Sequence, residues 1–392
     1  MKYFQGEKVV VKSWCEDPEF GAITQAKNAA SLPNVFSHVA LMPDAHEGFG
    51  VPIGAVVALE NAISPNMVGV DIGCGVVAVK SSLLADDVSI ENRKKIMQGI
   101  REVIPLGFGR QKQAQDDKHM PYNGKLQHTN YNIVKQELAS AYKQVGTLGG
   151  GNHFIELQVD EEGFLWIMIH SGSRNLGKKV CDHYNAVANA LNLKWQTGIP
   201  TSYKLAFLPI DSIEGQQYLL EMQYCLEFAK CNRALMVEQI KEVMRRILGW
   251  SIRFDDNLDA HHNYATIENH FGKNIWLHRK GATSAKEGEL GIIPGSQGTK
   301  SYIVRGKGNK ESFMSCSHGA GRKMSRRAAK ENLDLEKEIA ILDKQGIVHG
   351  IRNINDLDEA AGAYKDISLV MSQQTDLIDI VTELSPIAVI KG

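Results

Sequence analysis

Short apolar runs broken by glycine and proline fill residues 36–80, the pattern of buried strands joined by tight loops. The spacing then changes. Ser89 precedes Glu91-Asn92-Arg93 and a periodic stretch that Pro105 stops, which predicts a helix to about Val103. A second helix is predicted over residues 131–145, closed by Gly146. Residues 153–159 and 164–170 read as strands split by the turn Glu161-Glu162-Gly163. Helical spacing returns over 175–191, residues 197–209 read as a connection, and 213–250 as a long helix or helix pair. Tyr218, Met222, Cys225, Ala229, Leu235, Ile240, Val243 and Ile247 mark its apolar face, with Lys241, Arg245, Arg246 and Arg253 near its end. From Trp276 short strands and glycine-rich loops resume, with a basic helix over 324–331 and a short helix over 376–381. No internal repeat or low-complexity linker interrupts this order. The expected fold is α+β: one compact domain over residues 1–392, a mixed β core of short strands with surrounding helices, and a mostly helical insertion at about 190–250.

Composition narrows the class. Of 392 residues, 43% are hydrophobic and 23% charged, which excludes a disordered chain. The longest apolar runs are too short for a bilayer, and the polar Gln5, Glu7 and Lys8 after Met1-Lys2 leave no signal-peptide core. Six cysteines in so long a chain are no disulfide framework, so a cytoplasmic protein with reduced thiols is expected. The 44 basic and 45 acidic residues do not announce a nucleic-acid binder, but they leave room for a local basic patch.

The histidines change the picture, because glycines cluster around them. Five segments set Asp, Cys or His beside glycine: residues 43–48, 70–75, 149–156, 170–174 and 315–322. A sixth, Asp259-Ala260-His261-His262-Asn263, lacks the glycine. Glycine admits left-handed backbone and close approach of a ligand. Asp71 and Cys74, three apart, pair a hard carboxylate with a soft thiolate, a set suited to Mn, Fe, Co or Zn. A buried cysteine beside a turn aspartate is the plainer reading of that segment alone. His153, His170 and His262 complete a metal shell when taken with Asp71 and Cys74. His318 lies in Ser-His-Gly-Ala-Gly-Arg ahead of the basic helix, where it serves as ligand, acid or base, or nucleophile, and where backbone N–H groups suit phosphate. Residues 278–281, 294–299 and 305–308 add cations and glycine-rich loops, which points to a nucleotide site.

Together, in this order, these segments resemble the RtcB family of RNA-splicing ligases. The resemblance runs from Pro43 to the C-terminus, through Pro43-Asp44-Ala45-His46-Glu47-Gly48, Val68-Gly69-Val70-Asp71-Ile72-Gly73-Cys74-Gly75 and the final Pro386-Ile387-Ala388-Val389-Ile390-Lys391-Gly392. It implies joining of RNA 3′-phosphate or 2′,3′-cyclic phosphate ends to 5′-hydroxyl ends, with GTP as co-substrate and two Mn(II) ions. It places the nucleophile on His318 and the metal ligands on Asp71, Cys74, His153, His170 and His262, with Cys74 bridging and His261 excluded. Guanylate contacts fall on Asn152, Glu156, Asn263, Pro294, Gly295, Ser296, Gln297, Ser301, His318, Gly319, Ala320, Gly321, Tyr364 and Lys391. Arg174, Arg279, Arg322 and Lys391 are the expected phosphate clamps. RNA in repair or tRNA splicing is the expected partner, no membrane is expected, and an activating protein stays open. A dinuclear metallohydrolase would share the metal donors, but it needs no covalent guanylate.

Overall fold

The computed structural model describes residues 1–122 and 132–392. Its spine is a single helix, Ile213–Leu248, and not a helix pair. The Ser212 hydroxyl accepts from the Gly215 N–H to start it, Arg245 and Arg246 sit in its last turn, and Gly249 leaves it at φ 116°. The first half packs Tyr218, Met222, Cys225 and Phe228 against Val180, Tyr184 and Ala188 of the helix Arg174–Lys194. The second half packs Met236, Val237, Ile240 and Val243 against Ile96 and Ile100 of the helix Ile90–Val103 and against strand residues Ile155, Ile167 and Ile169. At the joint between the halves the apolar stripe gives way to Asn232 and Arg233, both fully buried.

Two sheets stand over this spine. One has seven strands in the order Leu258–His261, Gly75–Leu84, Phe164–Ser171, Phe154–Val159, Ile378–Lys391, Ser301–Gly306 and Leu290–Ile293. The other has six: Lys2–Phe4, Val10–Ser13, Val35–His46, Ile53–Leu59, Lys273–Lys280 and Asn263–His270. Register places the chemistry. Phe154 pairs with both His170 and Lys391, which sets the end of the chain beside the histidine-bearing strands. His261 pairs with Gly75, next to Cys74. The short strands Ala282–Ser284 and Ser315–Ser317 pair with each other and deliver His318 between the sheets. Among the described residues no helix is long and apolar enough to cross a membrane.

Several elements differ from the sequence pattern. The helix expected over 131–145 spans Ile133–Ala141, and the chain turns through Val145. Tyr131, its expected first residue, lies outside the described residues. Its cap comes from afar: Glu221 of the long helix accepts from the backbone N–H groups of Asn132, Ile133 and Val134. The short helix expected over 376–381 is instead the start of the strand Ile378–Lys391. Ile378-Asp379-Ile380-Val381-Thr382 is mostly β-branched, and its pairing with Ser301–Gly306 outweighs any helical tendency.

Arg279 is the largest departure. It is fully buried in the six-stranded sheet and clamps no ligand. Its guanidinium donates to both Glu268 carboxylate oxygens, at 2.7 and 3.3 Å, to Ser315 Oγ at 2.9 Å and to the Phe313 carbonyl at 3.2 Å. It therefore fixes the segment that leads to His318. Burial pushes the Glu268 carboxyl up, but the His270 hydrogen bond and the Arg279 charge win and hold it at about 2. That stabilisation is complete above the ordinary carboxylate range and is lost as pH falls toward 2. Glu268→Ala leaves Arg279 buried without its counter-charge, so it is expected to cost about 3–5 kcal/mol. Urea unfolding at pH 7 measures this; an unchanged midpoint would show that the pair holds nothing.

Candidate active site

Four chain segments converge where the sheets meet. The loop after the helix Pro65–Val68 carries Asp71 and Cys74; Gly73, at φ 73°, permits its tight reversal. The loop is fixed by its neighbour: the Asn263 side chain donates to the Asp71 carbonyl at 3.1 Å, and the Gly73 N–H donates to the Asn263 carbonyl at 2.8 Å. The His262 N–H donates to the Cys74 carbonyl at 2.9 Å. His153 enters just before the strand Phe154–Val159, and His170 near the end of Phe164–Ser171.

Their side chains meet. His170 Nε2 lies 3.2 Å from Cys74 Sγ and 3.3 Å from His262 Nε2. His153 Nε2 lies 3.0 Å from an Asp71 oxygen and 3.5 Å from Cys74 Sγ. The donor atoms of Cys74, His153 and His170 all fall within 4.8 Å of one another and could hold a metal ion. His170 Nδ1 faces the Asn152 carbonyl at 3.2 Å, which assigns the proton to Nδ1 and leaves Nε2 as a donor. Burial, and then the neighbouring His153, pushes His170 well below the usual histidine range. Burial, and then the His318 charge, does the same to His262. Burial, reinforced by Asp71, drives the Cys74 thiol well up. Burial also pushes Asp71 up, but the hydrogen bond and charge of His153 outweigh it and hold the carboxyl low. His170 and His262, pushed toward the neutral form, stand with His153 around a carboxylate and a buried thiol, a mixed donor set of the kind that suits a divalent cation.

His318 stands beside this cluster, its ring centroid 4.8 Å from that of His262. Asp44, fully buried, takes His318 Nδ1 at 2.6 Å and the His318 backbone N–H at 3.1 Å through one oxygen. Burial would raise that carboxyl, but His318 holds it below the ordinary range. The carboxylate requires a proton on Nδ1, so the lone pair resides on Nε2. The Gly319 N–H is also spent on Asp44, at 3.3 Å, and the helix Arg326–Asn332 begins only after its Ser325 cap. Two backbone N–H groups of the glycine-rich stretch expected to suit phosphate, those of His318 and Gly319, are therefore already engaged.

A cleft of about 860 Å³ opens from this point. Asp71, Cys74, His170 and His262 lie at one end with Asn152, Glu156 and Asn263. Pro294, Gly295, Ser296, Gln297, Ala320, Gly321, Tyr364 and Lys391 line the rest, with His318 between. Lys391 is held in the sheet by its pairing with Phe154, and its Nζ lies 3.9 Å from Glu359.

The sequence model of the family described as "tRNA-splicing ligase RtcB" matches residues 25–120 and 110–392. The chain is 38% identical to "RNA-splicing ligase RtcB" of Escherichia coli (strain K12), over 98% of each chain. It is 34% identical to "tRNA-splicing ligase RtcB" of Archaeoglobus fulgidus, over 95% of this chain and 92% of that one. The corresponding protein of Thermococcus kodakarensis is 30% identical, over 94% and 91%. The chain belongs to the RtcB family.

Not every expected residue of this RtcB chain reaches the cleft wall. His153 stands behind Asp71 and Cys74. Ser301 is buried one layer back, where its Oγ accepts from the Gly295 N–H and from Gln158. Arg174 donates to Thr147 Oγ1 and the Gly107 carbonyl and clamps nothing in the cleft. His261 turns its Nδ1 to Arg233 and Gly73, away from the donor cluster. Two residues in or beside the cleft fall outside the site residues that the resemblance placed. Glu359 is buried and gathers Arg322 at 3.1 Å and Arg326 at 2.8 Å; only the three cations around it mark its role. Lys280 donates to the Phe49 and Asn66 carbonyls and is lowered by burial to about 8.

Cys74→Ala is expected to remove at least one bound divalent ion per chain while leaving the thermal melt within a few degrees. Elemental analysis of the purified variant beside the wild type checks this. Equal metal content would take Cys74 out of the donor set.

Proposed function

We propose that this chain is a GTP-dependent RNA ligase. It joins RNA ends bearing a 3′-phosphate or 2′,3′-cyclic phosphate to ends bearing a 5′-hydroxyl, in RNA repair or tRNA splicing. The observation that carries the reading is the placement of His318: Asp44 fixes its tautomer, and it stands between a buried metal-donor cluster and a nucleotide-sized cleft. The names of the relatives support the RNA ligase class.

In this reading Asp71, Cys74, His153, His170 and His262 would hold two Mn(II) ions. The ions supply Lewis-acid charge to the reacting phosphates. The protein's residues do the rest. Asp44 keeps the proton on His318 Nδ1 and offsets the positive charge that the ring gains on attack. His318 Nε2 forms a bond to the α-phosphorus of GTP, the bond to the pyrophosphate oxygen breaks, and pyrophosphate leaves with the electron pair. An oxygen of the RNA 3′-phosphate then takes the guanylate, which returns the lone pair to Nε2 and leaves an RNA-(3′)pp(5′)G end. The 5′-hydroxyl oxygen attacks the RNA phosphorus, loses its proton, and GMP departs. Glu156, Asn152, Tyr364 and Lys391 bind the guanylate, and Arg322 and Arg326 face its charge. Phosphoryl transfer of this kind is governed by positioning and charge, which suits a cleft built mainly from fixed donors.

His318→Ala is expected to abolish labelling by α-labelled GTP and to keep its metal. It should still seal RNA whose 3′ end already carries the guanylate. Asp44→Asn should slow labelling at least about 100-fold, because the amide no longer demands a proton on Nδ1. A gel comparing wild type and both variants decides this. A wild type that takes up no guanylate yet releases phosphate from esters would make the chain a metallohydrolase.

Lys391→Ala should raise KM for GTP by about 10–100-fold, the worth of a hydrogen bond to a charged group. Its metal content should not change. An unaltered KM would remove Lys391 from the nucleotide contacts.

A further inference from the structure

One aromatic side chain near the cleft is unexplained by the fold. Phe108 is fully exposed, at the tip of a four-residue turn that closes with the Gly109 N–H on the Leu106 carbonyl at 2.9 Å. Gly107 adopts φ 58°, the left-handed backbone that this turn requires. The turn is anchored. Arg174 Nη2 donates to the Gly107 carbonyl at 2.8 Å, and the Gly107 N–H donates to the Gly149 carbonyl at 3.2 Å. A Cβ on Gly150 would sit 3.7 Å from Gly107 Cα. Gly150 is two residues from Asn152 in the cleft wall and three from His153. The ring is thus held out into solvent beside the Gly149–His153 segment, which brings one expected donor, His153, to the cluster.

The exposed side chains that follow the turn are cationic, although the main-chain carbon of Gly392 lies within 3.9 Å of where a Cβ on Gly107 would sit. Arg110 and Lys112 follow the turn and are exposed, and Lys143 is exposed on the segment that binds the Gln111 N–H at 2.8 Å. Among the described residues none of the three has an ion-pair partner. The nearby acids are engaged: Asp117 accepts from Tyr142, and Asp116 faces Lys118. Phe49, also exposed, differs, because Lys204 Nζ already lies 4.0 Å over its ring.

An exposed ring beside unpaired cations matches one occupant, the unpaired base and flanking phosphates of single-stranded nucleic acid. We propose that Phe108, with Arg110 and Lys112, is a stacking platform that holds an unpaired nucleotide of the RNA substrate next to the metal-bearing loop. This rests on the RNA ligase reading above and makes Phe108 a positioning residue, not a catalytic one.

The test separates RNA binding from the chemistry with GTP. Wild type, Phe108→Ala, Phe108→Trp and Arg110→Ala are compared with two short single-stranded RNAs, one ending in a 5′-hydroxyl and one in a 3′-phosphate. Phe108→Ala should weaken at least one RNA by about 10–100-fold, the size of one base stacked on a ring. Self-guanylylation without RNA should stay at the wild-type rate. Phe108→Trp should keep wild-type affinity, and RNA should quench the emission that the new indole adds to that of wild type. Arg110→Ala should flatten the salt dependence of binding. RNA affinities within twofold of wild type for Phe108→Ala would overturn the platform. So would an equal loss of guanylylation, which would make the turn a brace for the metal loop. So would a change in oligomeric state with RNA affinity intact, which would make the ring a contact between copies. A wild type that guanylylates but binds neither RNA would overturn the platform alone; one that does neither would overturn the RNA ligase reading beneath it.

Discussion

A single buried guanidinium holds the site together. Arg233 leaves the middle of the long helix with no solvent contact and uses all its donors. It donates to the Gly73 carbonyl at 2.9 Å and the Ser171 carbonyl at 2.8 Å, to Asp259, and to His261 Nδ1. Those four partners belong to the loop of Asp71 and Cys74, the strand of His170 and the strand before His262. Asn232 beside it bonds both backbone groups of Thr147, the Ser171 hydroxyl and the Gly172 carbonyl. Each segment alone would spread its loop to water. An unsatisfied buried carbonyl or guanidinium costs too much for that here, so the donors are brought to one point by the need to satisfy Arg233. The apolar packing on either side of the helix supplies the burial that makes this need strict.

The same logic acts at His318. A neutral histidine exchanges its proton between two nitrogens, and only one tautomer leaves Nε2 bare. Asp44 removes the choice. Its carboxylate is buried and held ionised by His318, so a proton on Nδ1 is worth a charge-assisted hydrogen bond. The donor cluster is the reverse case. There burial drives the Cys74 thiol up and the His170 and His262 imidazoles down, while His153 holds the Asp71 carboxyl low. One end of the cleft is complete as it stands, and the other could hold a metal ion.

Which parts of this were legible in the sequence follows from how local each cause is. Strands at 153–159 and 164–170 and the helices at 90–103 and 213–248 are set by periodicity and caps, which a linear reading detects. The site residues were legible because glycine beside Asp, Cys or His is itself a local mark. What failed was non-local. Arg279 stands in the same cation-rich segment as Lys280, and only the register against Ile53–Leu59 and Asn263–His270 decides that one faces Glu268 and the other the cleft. The engagement of the Gly319 N–H could not be read from the sequence, because Asp44 is 275 residues away. Glu359 has no motif, since its role comes from Arg322, Arg326 and Lys391 in three separate segments. The strand at 378–391 is two-faced only when Ser301–Gly306 is beside it.

A chain of formal net charge −1 can still address phosphate, because field is a local quantity. Arg322, Arg326 and Lys391 share one wall of the cleft, and three cations so close would repel one another and splay apart in an empty site. Glu359 prevents this from a buried position, with Tyr364 donating to it as well. One carboxylate against two guanidiniums leaves that wall net positive while fixing its shape, even with Lys391 pushed toward its uncharged form by burial. Glu156 does not neutralise it: burial pushes its carboxyl up, toward the uncharged form, though Lys391 opposes the shift. The cations therefore stand pre-positioned, and an incoming phosphate meets donors that need no rearrangement. That is the condition under which electrostatic stabilisation is strongest, since the cost of orienting the charges was met when the protein folded.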